Sequence, residues 1–477
     1  MNKHAISYLT YPALALSAVL LTACGGSSTN IIERDPIADD DHDDHHHDHG
    51  DLGGRLLISE HDDDHVYVYD VAHEEVIAEM HLDGVPTALY ATPGQRYGVV
   101  VRGGDNGQVN FVDSGLYWED HGDHGHMHEG DPALLELELF GDRPAHVTNG
   151  GHRTAIFFDG NAGAPAQVKV VNDHDMSATP ALLEYSANQH GAAQVRSSYL
   201  LSSILDHEEE STLPNLVGVY HRHDGIYELE ETLDVGCPGL HGSAQNAHHI
   251  AFGCTDGVLL IEEHRHDNSR DYHAHKISSE IRIGTLFGHD HLEDFVGVGG
   301  GVLYRVATEG EGSIEPINWT GEADLPVVGS VDSIVWGDLS AVGYAFAEHG
   351  ELFVILDNHG GLTVLDTHDW DVVGERLQVT HSHSAPDGLR FEMTVSGDGH
   401  FVFVTDPAEQ EIRVVDIEDR EVYDTFSLDF TPNKLVWLGV VTEEDDHDDH
   451  GHDEHGHNDD HDHEDEHDHG DEHDHDH

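Results

Sequence analysis

The chain has 477 residues, of which 48 are histidine, and its formal net charge is −75. Nucleic acid and anionic membrane surfaces are therefore excluded as electrostatic partners, because a strongly negative chain is repelled by both. The histidines are concentrated with acidic residues in three runs: Asp39–Asp51, Glu119–Glu129 and Glu443–His477. Neutral imidazole binds zinc, nickel, cobalt or copper(II), and carboxylates complete such sites. The composition therefore predicts binding of a divalent metal.

The N-terminus has the layout of a bacterial secretion signal. Lys3 opens a short polar region, and the apolar run over 11–21 is too short to span a bilayer. The run ends in Leu21-Thr22-Ala23-Cys24-Gly25, which matches a lipobox. We expect residues 1–23 to be a lipoprotein signal peptide and Cys24 to be lipidated, with a plain signal peptide as the alternative.

This signal predicts a periplasmic protein that is held at the membrane by its lipid alone. Glycine rather than aspartate follows Cys24, which favours the outer over the inner membrane. After the signal, the sequence contains no apolar run long enough to span a bilayer.

Residues 24–51 and 442–477 have too little apolar surface to form a core, so both are predicted to be disordered, Asp/His-rich segments. Histidines on a flexible chain can share a metal, but ordering the chain costs entropy. We expect many weak, exchangeable metal sites in the linker and in the tail. The alternative is a solvated acidic tail without a role.

Residues 52–441 show few helical periodicities and many short strands bounded by turn residues. Eight similar strands recur about 40 to 60 residues apart, the spacing of one four-stranded blade. They begin at Val66, Val109, Val168, Val217, Val258, Val302, Leu362 and Ile412. The sequence predicts an all-β fold, an eight-bladed β-propeller. Six or seven blades, or a pair of stacked sandwiches, are the alternatives.

The insertion between the second and third of these strands contains His121, His124, His126 and His128. Ligands held on a scaffold lose less entropy on binding than ligands on a free chain. Gly122 allows the backbone to turn the imidazoles inward. This internal loop is therefore a stronger candidate for tight metal binding than the two terminal segments, against the alternative of an ordinary surface loop.

Four further histidines, His190, His241, His381 and His383, fall between predicted strands in different blades. Zinc needs three or four ligands arranged as a tetrahedron. Together with the internal loop, these four histidines are candidates for one axial metal site, although a lone loop histidine is more often solvated. Weaker candidates, which we leave outside the predicted site, are His146, His152, His249 and His359.

Apart from Cys24, the chain has two cysteines, Cys237 and Cys254. Two cysteines in an oxidising compartment usually pair. A thiolate metal site is the alternative, but the spacing does not match a zinc ribbon. We therefore predict a disulfide.

Several segments resemble the AztD family of periplasmic zinc metallochaperones. They are Trp118–His126, Asp131–Leu135, Ala155–Gly160, Cys237–Gly242 and Ala251–Gly257. The resemblance implies an eight-bladed propeller that hands zinc to the solute-binding protein of a zinc ABC importer. It also implies that the loop with His121, His124 and His126, together with histidines such as His241, forms or feeds the zinc site. The lipid anchor and the long tail depart from this family.

The sequence thus predicts a zinc-binding metallochaperone, a monomer with Zn²⁺ as its metal. A zinc buffer or resistance lipoprotein without a delivery partner is one alternative, because the tail adds many metal-binding residues rather than one well-defined site. A metal-dependent hydrolase is another, since a three-histidine zinc site can keep a water. The chain lacks a Gly-x-Ser-x-Gly nucleophile motif, so we expect that it is not an enzyme.

Overall fold

The computed structural model describes residues 28–31, 52–121, 125–206, 213–265, 270–320 and 339–441. The predicted signal peptide, Cys24, most of the linker, His124 and the C-terminal tail lie outside these residues. In the described ranges, no helix is long and apolar enough to cross a membrane.

The described residues form 35 strands and a short 3₁₀ turn at Glu348–Gly350. The strands of the first half are β1 (Ser28–Ile31), β2 (Arg55–Glu60), β3 (His65–Asp70), β4 (Glu75–His81), β5 (Ala88–Ala91), β6 (Tyr97–Arg102), β7 (Gly107–Asp113), β8 (Leu116–Asp120), β9 (Gly125–Glu129), β10 (Ala133–Gly141), β11 (Pro144–Gly150), β12 (Arg153–Phe158), β13 (Gln167–Asn172), β14 (Ala181–Glu184), β15 (Ala193–Arg196), β16 (Tyr199–Ile204), β17 (Leu216–His223) and β18 (Ile226–Thr232).

The strands of the second half are β19 (Ser243–Gln245), β20 (His249–Cys254), β21 (Gly257–Arg265), β22 (Arg270–Ser278), β23 (Thr285–Phe287), β24 (Phe295–Gly299), β25 (Val302–Ala307), β26 (Ser313–Pro316), β27 (Ala341–Ala347), β28 (Leu352–Asp357), β29 (Gly361–Asp366), β30 (Leu377–Gln378), β31 (Met393–Val395), β32 (Phe401–Asp406), β33 (Glu411–Asp416), β34 (Glu421–Ser427) and β35 (Pro432–Leu438).

These strands build eight antiparallel blades of four strands each. From the innermost strand outward, blade 1 is β35-β2-β3-β4 and blade 2 is β5-β6-β7-β10. Blades 3 to 8 each take four consecutive strands, from β11–β14 in blade 3 to β31–β34 in blade 8. Blades 3 and 4 are joined by one bridge between Leu182 and Ile226. The eight strands recognised in the sequence are the third strand of each blade, and the predicted eight-bladed, all-β fold is confirmed.

The hydrophobic core consists of eight clusters, and each cluster combines side chains of two consecutive blades. One example joins blade 8 to blade 1, where Phe403 and Ile412 pack with Leu56 and Trp437. Such burial stabilises the fold by roughly 1.5–3 kcal/mol for each large apolar side chain. Because the clusters connect every blade to the next, including blade 8 to blade 1, the ring is closed.

The last strand closes this ring by pairing with the first propeller strand. β35 supplies the innermost strand of blade 1 and runs antiparallel to β2, from Glu60↔Pro432 to Arg55↔Leu438. The two ends of the propeller sequence are therefore held together by a backbone hydrogen-bond ladder. This ladder pairs the backbone groups along the edge of β2 that would otherwise be free.

The linker predicted over 24–51 contains a strand that the composition did not indicate. β1 adds a fifth strand to the outer edge of blade 1, with Ser28 opposite His81 and Ile31 opposite Ala78. The physical reason is that an unpaired outer strand offers a row of free backbone groups to any extended segment. A short stretch such as Ser28–Ile31 can therefore become ordered without a core of its own.

The two ends of the blades define two faces of the ring. Consecutive strands of a blade are antiparallel, so its first and third strands begin where its second and fourth strands end. We call the face at which the innermost strands begin the start face, and the opposite one the end face. The next blade begins where the outermost strand finishes, so every blade has the same orientation.

A candidate metal centre

Three imidazoles converge on the start face, one from each of three consecutive blades. His146 lies near the start of innermost strand β11, two residues after Pro144. His190 and His241 lie just before innermost strands β15 and β19. Their equivalent places in the repeat bring them together at the inner rim, where innermost strands surround the propeller axis.

The three side chains are close enough to share one ion. Their ligand atoms all lie within 4.8 Å of one another. Nε2 of His146 is 3.3 Å from Nε2 of His190. The ring of His241 has its centroid 5.0 Å from that of His190 and 5.5 Å from that of His146. Each residue is half-buried, so the cluster can be reached from solvent.

Two of the three rings are oriented by partners behind them. Nδ1 of His190 lies 2.7 Å from Oδ2 of Asp159, and Nδ1 of His241 lies 2.7 Å from the carbonyl oxygen of Gly284. Both partners accept a hydrogen bond, so each Nδ1 carries the proton and each Nε2 keeps its lone pair. Carboxylate and carbonyl partners of this kind fix the tautomer and orientation of metal-binding histidines.

The electrostatics of the cluster differ from ring to ring. Burial, together with the neighbouring His190 and His241, lowers the pKa of His146 to about 4. The hydrogen bond to Asp159 raises the pKa of His190 above its ordinary value of 6.5. At neutral pH, His146 is therefore an uncharged ligand, whereas protons compete with a metal more strongly at His190 than at His146.

Two glycines allow the chain to carry these rings so close together. Gly242 follows His241 with φ +77°, and a Cβ there would lie 2.6 Å from the oxygen of Gly284. Gly191 follows His190, and a Cβ there would lie 2.3 Å from Oγ of Ser203. A larger residue at either position would displace the backbone that presents the imidazole.

A disulfide lies beside the third ring. Cys237 and Cys254 are bonded, fully buried, and part of the cluster that joins blades 4 and 5. The backbone N–H of His241 donates to the oxygen of Gly253, next to Cys254. The bond therefore ties the segment that carries His241 to the adjacent strand β20.

Replacing Cys237 and Cys254 with alanine is expected to lower the free energy of unfolding by about 3 kcal/mol, because the bond closes a loop with a sequence separation of 17 residues. Urea unfolding of the variant and of the wild type, each with and without reductant, measures this. Reductant should lower the wild-type midpoint to that of the variant. A midpoint shared by variant and oxidised wild type would contradict the prediction.

The internal histidine loop is a β-hairpin of β8 and β9. Its base is fixed by the guanidinium of Arg55, which donates to the carbonyl oxygens of Ser114 and Gly130. On one face of the hairpin, Nε2 of His128 lies 2.7 Å from Oε2 of Glu119. On the same face, the imidazole rings of His121 and His126 are 5.7 Å apart. His124 lies outside the described residues.

The hairpin and the three-histidine centre belong to opposite faces. The hairpin follows Asp113 at the end of the third strand of blade 2, which places its base on the end face. Among the described residues, the groups of three ligand atoms within 4.8 Å include none of the hairpin histidines. The structure therefore brings His190 and His241 together, but it does not bring the hairpin to them.

The described residues that flank the other two Asp/His runs, Leu52 and Val441, both adjoin the end face. β35 finishes at Leu438 on the end face, and Val441 is the last described residue after it. The linker rejoins the propeller at Leu52, just before β2 begins at Arg55, also on the end face. Leu52 and Val441 thus lie toward the face opposite the three-histidine centre.

His381 and His383 lie in the loop that leads into innermost strand β31 of blade 8. Nδ1 of His381 is 3.2 Å from Oε2 of Glu411, and the carbonyl of His383 accepts a hydrogen bond from Nδ1 of His359. This loop is on the start face, but in a different blade from the three-histidine centre. The weaker candidates His152, His249 and His359 also lie outside the centre.

His146 belongs to the centre, although it was only a weaker candidate in the sequence analysis and was left outside the predicted site. A signal was available in the repeat: His146, His190 and His241 each stand where a blade begins. The register of the blades, rather than the density of histidines, was the pattern that could have identified it.

This donor set fits a borderline divalent cation. Three imidazoles, two of them oriented by partners behind them, would leave one tetrahedral position open for water or for an incoming ligand. The open position and the absence of thiolate among the three allow a bound ion to leave by exchange of ligands.

Comparison with known proteins supports the resemblance seen in the sequence. No protein-family profile matches the chain. The zinc chaperone AztD of Citrobacter koseri is 28% identical over 418 residues, which cover 84% of this chain and 91% of that protein. The resemblance to AztD is thereby confirmed.

Two solved structures show the same fold. The crystal structure of Citrobacter koseri AztD superposes with a TM-score of 0.67 and 23% identity, covering 82% of this chain and 100% of that chain. The structure of apo AztD from the same organism gives a TM-score of 0.66 and 22% identity, with coverages of 82% and 99%.

Proposed function

We propose that this protein is an extracytoplasmic zinc chaperone that holds Zn²⁺ at His146, His190 and His241. The convergence of these three imidazoles carries the proposal, and the similarity to the zinc chaperone AztD supports it. Zinc is the metal that suits three imidazoles and one exchangeable ligand in a tetrahedron, with Zn–N distances of about 2.0–2.1 Å.

The centre would bind and release zinc through its open fourth position. A carboxylate or imidazole of an acceptor enters there, and the protein's imidazoles then leave one at a time. Asp159 and Gly284 keep the rings of His190 and His241 in the ligating orientation throughout. The role is binding and transfer rather than catalysis.

The proposed acceptor is the periplasmic solute-binding protein of a zinc ABC importer, and the proposed location is the periplasm. Lipidation at Cys24 would anchor the chain a few residues before β1 begins at Ser28, beside His81 on the start face. The Asp/His runs would collect zinc weakly and raise its local concentration.

The test is transfer of zinc to an apo solute-binding protein, compared with release of zinc to a small chelator. A chaperone transfers faster than it releases, and its transfer rate rises with acceptor concentration. The control is the double variant His381→Gln and His383→Gln, which removes two start-face histidines outside the centre. This variant should transfer zinc at the same rate as the unaltered protein.

A zinc buffer is the second candidate, favoured by the many histidines of the three Asp/His runs. Equal rates of transfer and of spontaneous release, independent of acceptor concentration, would support the buffer and reject the chaperone.

Asp159→Asn is expected to weaken zinc binding about 10- to 100-fold, the usual effect of changing a partner behind a metal ligand. The amide keeps the shape of the side chain but removes the negative charge that orients and polarises His190. Competition titration measures the affinity. Glu348→Gln is the control, because Glu348 pairs at 2.8 Å with His400, which belongs to no three-ligand group of the described residues. Equal affinities of the two variants would contradict the assigned role of Asp159.

Zinc affinity is expected to fall at least about tenfold between pH 7.5 and pH 5.5. The pKa of His190 is raised above 6.5, so at pH 5.5 roughly ten or more of its rings are protonated for each neutral one. The pKa of His146 is lowered to about 4, so this ring stays neutral throughout and adds no proton competition. Titrations across this range would show a flat affinity if histidine did not bind the metal.

A further inference from the structure

A second group of metal-ligating side chains lies in blade 1, apart from the three-histidine centre. His65 begins β3 and His81 ends β4, and the two residues are direct partners across the ladder. Asp64, in the turn before β3, stands beside both. All three belong to the start face, because third strands begin there and fourth strands end there.

The geometry is that of a site with one carboxylate between two imidazoles. Oδ1 of Asp64 lies 3.1 Å from Nδ1 of His81 and 3.4 Å from Nδ1 of His65. The two ring centroids are 5.0 Å apart. Ligand atoms of the three residues all lie within 4.8 Å of one another.

Further acidic side chains surround His65. Oδ1 of Asp63 is 2.5 Å from its Nδ1, and Oε1 of Glu79 is 3.4 Å from its Nε2. Whichever ring nitrogen binds an ion, a carboxylate therefore stands at the other nitrogen to orient the ring. This is the arrangement that supports metal-binding histidines.

We propose that Asp64, His65 and His81 form a second site for a divalent cation of the zinc class. Three observations carry the inference: two imidazoles placed opposite each other by the strand register, a carboxylate placed between them, and partial exposure that leaves the ligands accessible. The side chains of Asp64, His65 and His81 are 33%, 26% and 47% exposed. Two nitrogens and one or two carboxylate oxygens suit zinc, cobalt or nickel rather than calcium or magnesium.

The site differs from the three-histidine centre in two respects. It lies on the outer strands of one blade, whereas the centre joins the innermost strands of three blades. It also adjoins β1, because Ser28 is the register partner of His81. The inference does not depend on the proposed chaperone function, since a cation can bind here whether or not the other centre is used.

Histidine footprinting of the full-length protein tests this site directly. The protein is treated with diethylpyrocarbonate at increasing concentrations of zinc, and the modification of each histidine is read by peptide mass spectrometry. We expect His65 and His81 to become protected together with one midpoint. At zinc ten times the dissociation constant, both should be modified about tenfold more slowly, because about nine tenths of the sites are then filled.

Asp64→Asn should remove the protection of both histidines, whereas Asp366→Asn should leave it unchanged. Asp366 is a matched control, because it pairs at 3.4 Å with His368, a histidine outside any such group of described residues. Unaltered modification of His65 and His81 at zinc concentrations that protect the histidines of the tail would overturn the proposal, as would protection at two different midpoints. His146, His190 and His241 are read in the same spectra, so failure of either site is recognised separately.

Discussion

Replacing His146, His190 and His241 together with glutamine is expected to remove the tight zinc site. The three imidazoles supply the converging ligand atoms, and glutamine offers only a neutral amide oxygen, which is not among the usual zinc ligands. Changing a partner behind a metal ligand already costs about 10- to 100-fold in affinity, so we expect a loss of more than about a hundredfold. Titration of the full-length protein against a strong zinc chelator measures the affinity of this site, because the weak sites cannot compete with the chelator.

The matched control replaces His121, His126 and His128 of the hairpin, also with glutamine. The hairpin is attached on the opposite face of the ring, so this variant should keep the tight site and lose only weak binding. The reverse outcome, with tight binding lost in the hairpin variant and kept in the first variant, would move the site to the hairpin.

Removing residues 432–477 is expected to abolish cooperative folding, whereas removing only 442–477 should leave the propeller folded. The longer deletion takes away β35, whose Leu435, Trp437 and Leu438 are buried. Their burial is worth roughly 1.5–3 kcal/mol each. This sum approaches the whole stability of a typical domain, about 5–15 kcal/mol. Thermal unfolding followed by circular dichroism distinguishes the two truncated chains.

A milder variant tests the same ring closure in the full-length chain. Trp437 packs between blades 8 and 1 and donates from Nε1 to the oxygen of Gly53 at 3.1 Å. Trp437→Ala should lower the free energy of unfolding by about 3–5 kcal/mol. Equal melting temperatures of the two truncated chains, or an unchanged stability of this variant, would show that β35 does not hold the ring together.

The sequence was sufficient to predict the propeller because the third strand of each blade carries a clear signal. The buried positions of these strands mostly carry apolar side chains, either in a run, as in β21, or at alternate positions, as at Val168 and Val170 of β13. The innermost strands are less visible: β19, β23 and β31 have three residues each. Their bounds could not be placed from sequence, although they determine which residues meet at the inner rim.

For the same reason, the metal centre was only partly predictable. His190 and His241 were selected as loop histidines between strands, but His146 is the second residue after Pro144 within β11 and has the sequence context of a strand residue. The hairpin attracted attention through its local density of histidines. Convergence in space instead depends on the register of three blades, which a local pattern does not encode.

The side of the ring on which each histidine lies could not be read from the sequence either. Which face a loop joins depends on whether it follows an odd or an even strand of its blade. The hairpin follows the third strand of blade 2, whereas His146, His190 and His241 stand where blades begin. This difference separates the described hairpin from the three-histidine centre.

The most direct test is a crystal structure of the zinc-loaded protein with anomalous data collected at the zinc absorption edge. We predict a strong anomalous peak about 2.0–2.1 Å from a ring nitrogen of each of His146, His190 and His241, with a fourth ligand from solvent. Anomalous peaks at the hairpin or elsewhere, with none among these three rings, would contradict the assignment of the zinc centre.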